Sequence, residues 1–185
     1  EALEHYVLTK EMKSDDAVKK IEDEWETRGF DGSEYIERCT NSAKSQGWTY
    51  KHNTVDSWTS WTKTSLNDIK GFLDETYPGW EIVSAEEALY ENLEEDFYFK
   101  GFIDCIIKYK KGKKDKYVII DWKTASPRGW NRDKKTDIKT TAQLILYKHF
   151  WSKKNNIPLR DIACNFVLLK RGAKPGKSCA LVEVS

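Results

Sequence analysis

No stretch of this sequence approaches eighteen uninterrupted apolar residues, and its first residues lack the basic-then-apolar pattern of a secretory leader. A membrane partner is therefore not expected, and the expected location is intracellular. Cysteine is sparse: Cys39, Cys105, Cys164 and Cys179 form no C-x-x-C pair. The three histidines, His5, His52 and His149, are equally scattered. Zinc or iron–sulfur ligands normally come close together in sequence, so neither group is expected. Two of the cysteines fall inside apolar runs, where a thiol behaves as a small hydrophobe. There is no internal repeat and no low-complexity tract.

What the chain does contain is 185 residues, 39% apolar and 33% charged, with 13% aromatics including 8 tryptophans. That many rings argues against disorder, the length is too great for a disulfide miniprotein, and a mean hydropathy of −0.73 argues against a membrane protein. The expectation is a single domain over 1–185, with a helical region or cap over 1–79 and a catalytic core over 80–185. The net charge of +1 conceals an asymmetry. Residues 1–100 carry 11 Lys and Arg against 23 Asp and Glu, whereas residues 101–185 carry 20 against 7. A lysine-rich half favours a polyanionic partner, because neutralising phosphates releases counterions.

The first 78 residues read as helical. Ser14-Asp15-Asp16 supplies a cap and an acidic first turn for a helix carrying Val18, Ile21 and Trp25, which Gly29 is placed to end. Tyr35, Ile36 and Cys39 suggest a second helix closing near Gly47. From Val55, the spacing of Trp58, Trp61, Leu66, Ile69, Phe72 and Leu73 predicts a longer amphipathic helix stopped by Pro78-Gly79. From Trp80 the period becomes alternating and predicts three strands, Trp80 to about Leu93, Phe97 to Tyr109 and Tyr117 to Trp122. Short polar turns, Asn92 to Asp96 and Lys110 to Asp115, make them an antiparallel meander. A loop from Thr124 to Thr136 leads into a helix of about Asp137 to Lys154. Strands Ile162 to Leu169 and Cys179 to Val184 follow. Two strands joined through a helix imply a parallel crossover. The fold class is thus α/β with a mixed sheet: a three-stranded antiparallel meander, a crossover helix, further strands and an N-terminal helical layer.

The chemistry concentrates where the third strand ends. In Val118-Ile119-Ile120-Asp121-Trp122-Lys123-Thr124 the pleat places Asp121 and Lys123 on one face. The neighbouring strand carries Gly101-Phe102-Ile103-Asp104, a second acid in an apolar run, and a buried unpaired charge is costly. Either Asp104 pairs with Lys123, or Asp104 and Asp121 converge on Mg²⁺, a hard cation that keeps waters for a phosphate substrate. Lys123 beside that ion would hold or deprotonate a water. The first strand adds Glu86 and Glu87, of which the pleat lets only one reach the same face. Gln143 and Tyr147, four apart, share one face of the crossover helix.

This series, Glu86, Gly101-x-x-Asp104, Asp121-Trp122-Lys123-Thr124 and Gln143-x-x-x-Tyr147, resembles the PD-(D/E)XK nuclease superfamily, and within it the RecB-like exonuclease branch. The resemblance covers residues 80–150 in detail and implies a restriction-endonuclease-like core. It implies that Glu86, Asp104, Asp121 and the main-chain carbonyl of Trp122 bind one or two Mg²⁺ or Mn²⁺ ions. Lys123 would orient and activate the water, while Gln143 and Tyr147 would support the site and contact the DNA backbone. The branch often carries H-x-x-L-E near the start of the core, and Glu1-Ala2-Leu3-Glu4 looks like its tail. Its iron–sulfur members use one early and three late cysteines, a spacing absent here, so no cluster is implied.

The function these readings imply is metal-dependent hydrolysis of DNA phosphodiester bonds, as an exonuclease on single- or double-stranded ends in replication, recombination or repair. An endonuclease of the same fold and a non-catalytic nucleic-acid-binding module are the competing readings. Basic segments are expected to track phosphates: Lys113 and Lys114 in the hairpin, Arg128 and Arg132 in the loop after the motif, and Lys170-Arg171. Trp130 is expected to stack on a base.

Overall fold

The computed structural model describes residues 14–27 and 55–184, together with positions 37, 41 and 45. The second predicted helix, Cys39, His5, His52 and the Glu1–Glu4 pattern lie largely or wholly outside the described residues. The first helix, α1 (Ser14–Thr27), opens on Asp15 and Asp16 as expected. An ion pair between Lys63 and Asp15 ties it to α2 (Val55–Thr76). Among the described residues no helix is long and apolar enough to cross a membrane.

Five strands follow α2: β1 (Glu81–Glu94), β2 (Phe97–Lys111), β3 (Lys114–Ala125), β4 (Ile162–Lys170) and β5 (Cys179–Val184). They form one sheet in the order β1-β2-β3-β4-β5. All neighbours are antiparallel except β3 and β4, which are parallel. The crossover between those two is made by a short helix, α3 (Arg132–Thr136), and a long one, α4 (Ile138–Asn155). The loop expected over 124–136 thus holds a helical turn at its end. Asp137 caps α4 by accepting from the amides of Lys139 and Thr140, and Asn156, in the left-handed region at φ 53°, closes it. The polar segment expected to form a six-residue turn at Lys110–Asp115 pairs instead as Lys110–Asp115 and Lys111–Lys114. Only Gly112 and Lys113 are left to turn, with Gly112 at φ 67°, a region glycine enters without a Cβ clash.

The sheet is covered on both faces. On one side Leu144, Tyr147, Phe150 and Trp151 of α4 pack against Leu89, Ile103, Ile106, Ile119, Phe166 and Leu168. On the other, Ile69 and Leu73 of α2, with Tyr77, pack against Cys105, Ile107, Val118, Ile120 and Val167. The buried Ile69 and Leu73, each 1% exposed, make α2 a layer against the sheet, as the expected N-terminal helical layer requires. Cys105 and Cys164 are buried free thiols and Cys179 is half-buried, in keeping with their reading as core residues.

One irregularity positions everything that follows. Cys105 and Ile107 face α2 while Ile106 faces α4, as a regular pleat requires, yet Ile103 faces α4 as well. The alternation of β2 therefore breaks at Asp104. In β1, Ala85 pairs with the α2-facing Cys105 and Glu87 pairs with the α4-facing Ile103. The break in β1 therefore falls on Glu86, which lies across from Asp104 and takes φ 50°.

Candidate active site

The pairing of β2 with β3 runs from Lys111–Lys114 to Cys105–Ile120 and stops there. Beyond that point β2 continues beside β1, and β3 continues beside β4. The two halves of the sheet diverge as a fork. Asp104 stands in the fork, and its Oδ2 accepts the main-chain N–H of Trp122 at 2.9 Å. A side-chain carboxylate thus occupies the place of a strand carbonyl and lies over β3 beside Asp121.

Asp121 is 3% exposed, a depth at which a charged carboxylate needs compensation. Lys123, two residues on and on the same face, brings its Nζ to 2.6 Å from Asp121 Oδ2. The Lys123 ammonium is thus the counter-charge of this buried oxygen. Burial pushes the Asp121 carboxyl above its ordinary pKa of 3.8, Lys123 opposes that shift, and the negative Asp104 adds to it. The expected Asp104–Lys123 pair does not form: Lys123 pairs with Asp121, while Asp104 is held by the backbone of Trp122.

The two glutamates have different surroundings. Glu87 accepts from Ser84 Oγ at 2.5 Å and from Trp151 Nε1 at 3.2 Å, and pairs with Lys154 Nζ at 3.0 Å. Its carboxylate is committed to anchoring β1 on α4. Glu86 is exposed, and its backbone holds a conformation costing non-glycine residues about 1–3 kcal/mol. Of the pair it is the carboxylate left available beside Asp104.

Gly101 and Tyr147 are in direct contact. A Cβ at residue 101 would come to 2.4 Å from Tyr147 Cε1. The Tyr147 hydroxyl accepts the main-chain N–H of Phe102 at 3.3 Å and Gln143 Nε2 at 2.8 Å. Glycine lets the ring lie on β2, and the phenol then takes an amide that β3 no longer pairs. With Tyr147 only 4% exposed, its expected contact with DNA gives way to this buried bracing of β2, while Gln143 remains exposed.

The basic residues scatter more than expected. Lys113 and Lys114 lie at the opposite end of β3 from Asp121. Seven residues at strand rise place Lys114 about 23 Å away, because the hairpin and the fork are the two ends of one strand. Arg128 and Arg132 are exposed in the segment after β3. Trp130, expected as an exposed stacking ring, is 9% exposed, 5.1 Å from the Phe166 ring, with Lys134 Nζ 4.7 Å over its face. The apolar side of the sheet outcompetes solvent for so large a ring. Lys170 and Arg171 lie where β3 ends: Lys170 pairs with Ala125 in the sheet, and Arg171 donates its main-chain N–H to Ala125 at 3.0 Å. Sequence reasoning missed the Ser84–Glu87–Trp151–Lys154 network, whose members span 71 positions without a motif.

Among the described residues no three His, Cys, Asp or Glu side chains converge on one point. The donor set nonetheless suits a hard divalent cation: a buried carboxylate, a second carboxylate beside it, and an exposed third across the strand pair. A family model described as the PD-(D/E)XK nuclease superfamily matches residues 1–180. A search of curated proteins finds no match.

Proposed function

The chain belongs to the PD-(D/E)XK nuclease superfamily, which makes it a metal-dependent nuclease with DNA as the implied substrate, and on that premise we propose that it is an exonuclease of the RecB-like branch, trimming DNA ends in replication, recombination or repair. The observation that carries the reading is the fork itself. Asp104 leans onto β3 through the Trp122 amide, beside a buried Asp121 that pairs with Lys123 at 2.6 Å.

Asp104, Asp121 and Glu86, with the main-chain carbonyl of Trp122, are the groups that would hold one or two Mg²⁺ or Mn²⁺ ions. When bound, such a cation polarises the phosphoryl oxygen, acidifies a water and neutralises charge on the leaving oxygen. Lys123 serves two ends: its ammonium balances the buried Asp121, and its 38% exposed side chain holds the attacking water and adds positive charge where negative charge develops. Tyr147 fixes β2 at Phe102, two residues from Asp104, so the carboxylate keeps its place as substrate enters. Gln143 on the same helix face is exposed toward the DNA backbone. Arg128 and Arg132 neutralise phosphates near the fork, while Lys113 and Lys114 meet only DNA that extends along the sheet.

The test is cleavage of an end-labelled linear DNA and a covalently closed circle with Mg²⁺, Mn²⁺ or EDTA, comparing wild type with Lys123→Ala and Asp121→Asn. Shortening of the linear DNA from an end, survival of the circle, and loss of activity in EDTA and in both variants are expected. Nicked circles would instead assign an endonuclease of the same fold. Metal-independent binding without cleavage would leave a nucleic-acid-binding module.

A further inference from the structure

Beyond the fork, β1 and β2 continue as a ribbon with two unlike faces. Leu89, Phe99 and Ile103 pack toward α4. The other face is formed by Ala88 and Tyr90 of β1 and by Tyr98, Lys100 and Phe102 of β2, with Ala88 paired to Phe102 and Tyr90 to Lys100. Its rings stand in solvent: Tyr90 is 64% exposed, Tyr98 50% and Phe102 51%. The Tyr90 and Tyr98 rings lie nearly parallel, 11° apart with centroids at 5.0 Å, and Lys100 Nζ sits 5.8 Å from the Phe102 ring centre. An exposed aromatic cluster of this kind gains little from folding and marks a place where something binds.

Three features identify the occupant. The cluster is continuous with the catalytic strand: Phe102 is two residues, about 7 Å, from Asp104. The rings offer flat faces and one cation, which suit a base with its phosphate rather than an aliphatic side chain. The acidic Glu87 is committed to α4 on the opposite face and alternation puts Glu91 on that face too, so beside the rings the charged side chain is Lys100, with the acids Glu94, Glu95 and Asp96 confined to the ribbon's tip.

We propose that this ribbon face is a stacking platform for the unpaired bases of a single-stranded DNA end. Unpaired bases present free π-faces to a flat ring, whereas bases within a duplex are already stacked on one another, so the platform makes the enzyme select single-stranded ends or tails. The proposal rests on the nuclease reading and names the substrate form taken by that site.

The experiment is equilibrium binding, by fluorescence anisotropy in EDTA and over a range of salt, of a labelled single strand and of the blunt duplex containing it. Wild type is compared with the Tyr90→Leu/Tyr98→Leu and Tyr90→Phe/Tyr98→Phe pairs, each checked for an unchanged melting profile. Wild type is expected to prefer the single strand. The leucine pair should lose about tenfold or more of that affinity while duplex binding holds. The phenylalanine pair should retain it, because phenylalanine keeps the π-face. The salt slope should stay the same in all three, since no phosphate contact is removed. Wild-type preference for the duplex, equal losses for both DNAs, or phenylalanine variants as weak as leucine ones would overturn the platform. Should end trimming persist with the leucine pair at unchanged single-strand affinity, the platform alone fails. A chain that binds and cuts no DNA overturns the nuclease reading with it.

Discussion

Gly101 and Tyr147 are matched by the absence of a side chain on one and the ring of the other: a Cβ at 101 would sit 2.4 Å from Tyr147 Cε1. That contact seats the phenol under the Phe102 amide at the base of the fork. Gly101→Ala should therefore cost about 1–3 kcal/mol of stability by overpacking and reduce cleavage as well. Urea denaturation measures the first effect, and adding Tyr147→Ala should recover stability relative to the sum of the two single losses.

Asp121 combines burial with a neighbouring like charge, an arrangement that function requires and stability opposes. In EDTA, Asp121→Asn should melt at or above the wild-type temperature, while cleavage with Mg²⁺ falls by at least about a hundredfold. Thermal denaturation beside an end-labelled cleavage assay checks both outcomes. A large destabilisation in EDTA would make the residue structural.

Two partly buried carboxylates outside the proposed ligand set contribute to acid stability. Burial alone would raise Asp68, but its bonds from Ser178 and from the amides of Gly176 and Ser178 outweigh burial and hold its pKa below 3.8. Burial likewise acts to raise Glu87, and Ser84, Lys154 and Trp151 outweigh it, holding the group below 4.5. Both native-state values are depressed, so each residue contributes stability that is full above its unfolded pKa. That contribution is lost as pH falls through the folded value. Melting temperature followed from pH 6 downward should decline below about pH 4.5, and Asp68→Asn and Glu87→Gln should each flatten that decline.

The positions of the cations predict different salt responses. Arg132→Ala should lower the slope of log affinity against log salt by about 1 on short DNA, since it removes one phosphate contact near the fork. Lys114→Ala should leave a six-nucleotide ligand unaffected, because Lys114 lies about 23 Å along β3 from Asp121. Filter binding across a salt series separates the two.

Because Ile69 and Leu73 are each 1% exposed against the sheet, a chain beginning at Trp80 should fail to fold cooperatively. Near-ultraviolet circular dichroism would show the missing packing. A well-folded truncated chain would make α2 a detachable cap after all.

The candidate site was legible to the extent that it obeys simple periods. Asp121 and Lys123 share a face because a strand repeats every two residues, and Gln143 reaches the Tyr147 hydroxyl because a helix brings i and i+4 together. The division of labour between Glu86 and Glu87 was legible only as a rule that one must differ. Which one differs depends on Ser84, Trp151 and Lys154. The fate of Trp130 depends on Phe166, far along the chain, and a loop tryptophan gives no local sign that a distant strand will bury it.

The sequence by itself determined the order of elements, the parallel crossover and the residues available for chemistry, because hydrophobic periodicity, caps and turn residues act over a few neighbours. Tertiary structure alone decided where β2 leaves β3, where the alternation breaks at Glu86 and Asp104, and which lysines lie near the fork. Those outcomes arise from packing between strands and two helical layers, where distant residues compete for the same faces of the sheet, and no local pattern encodes that competition.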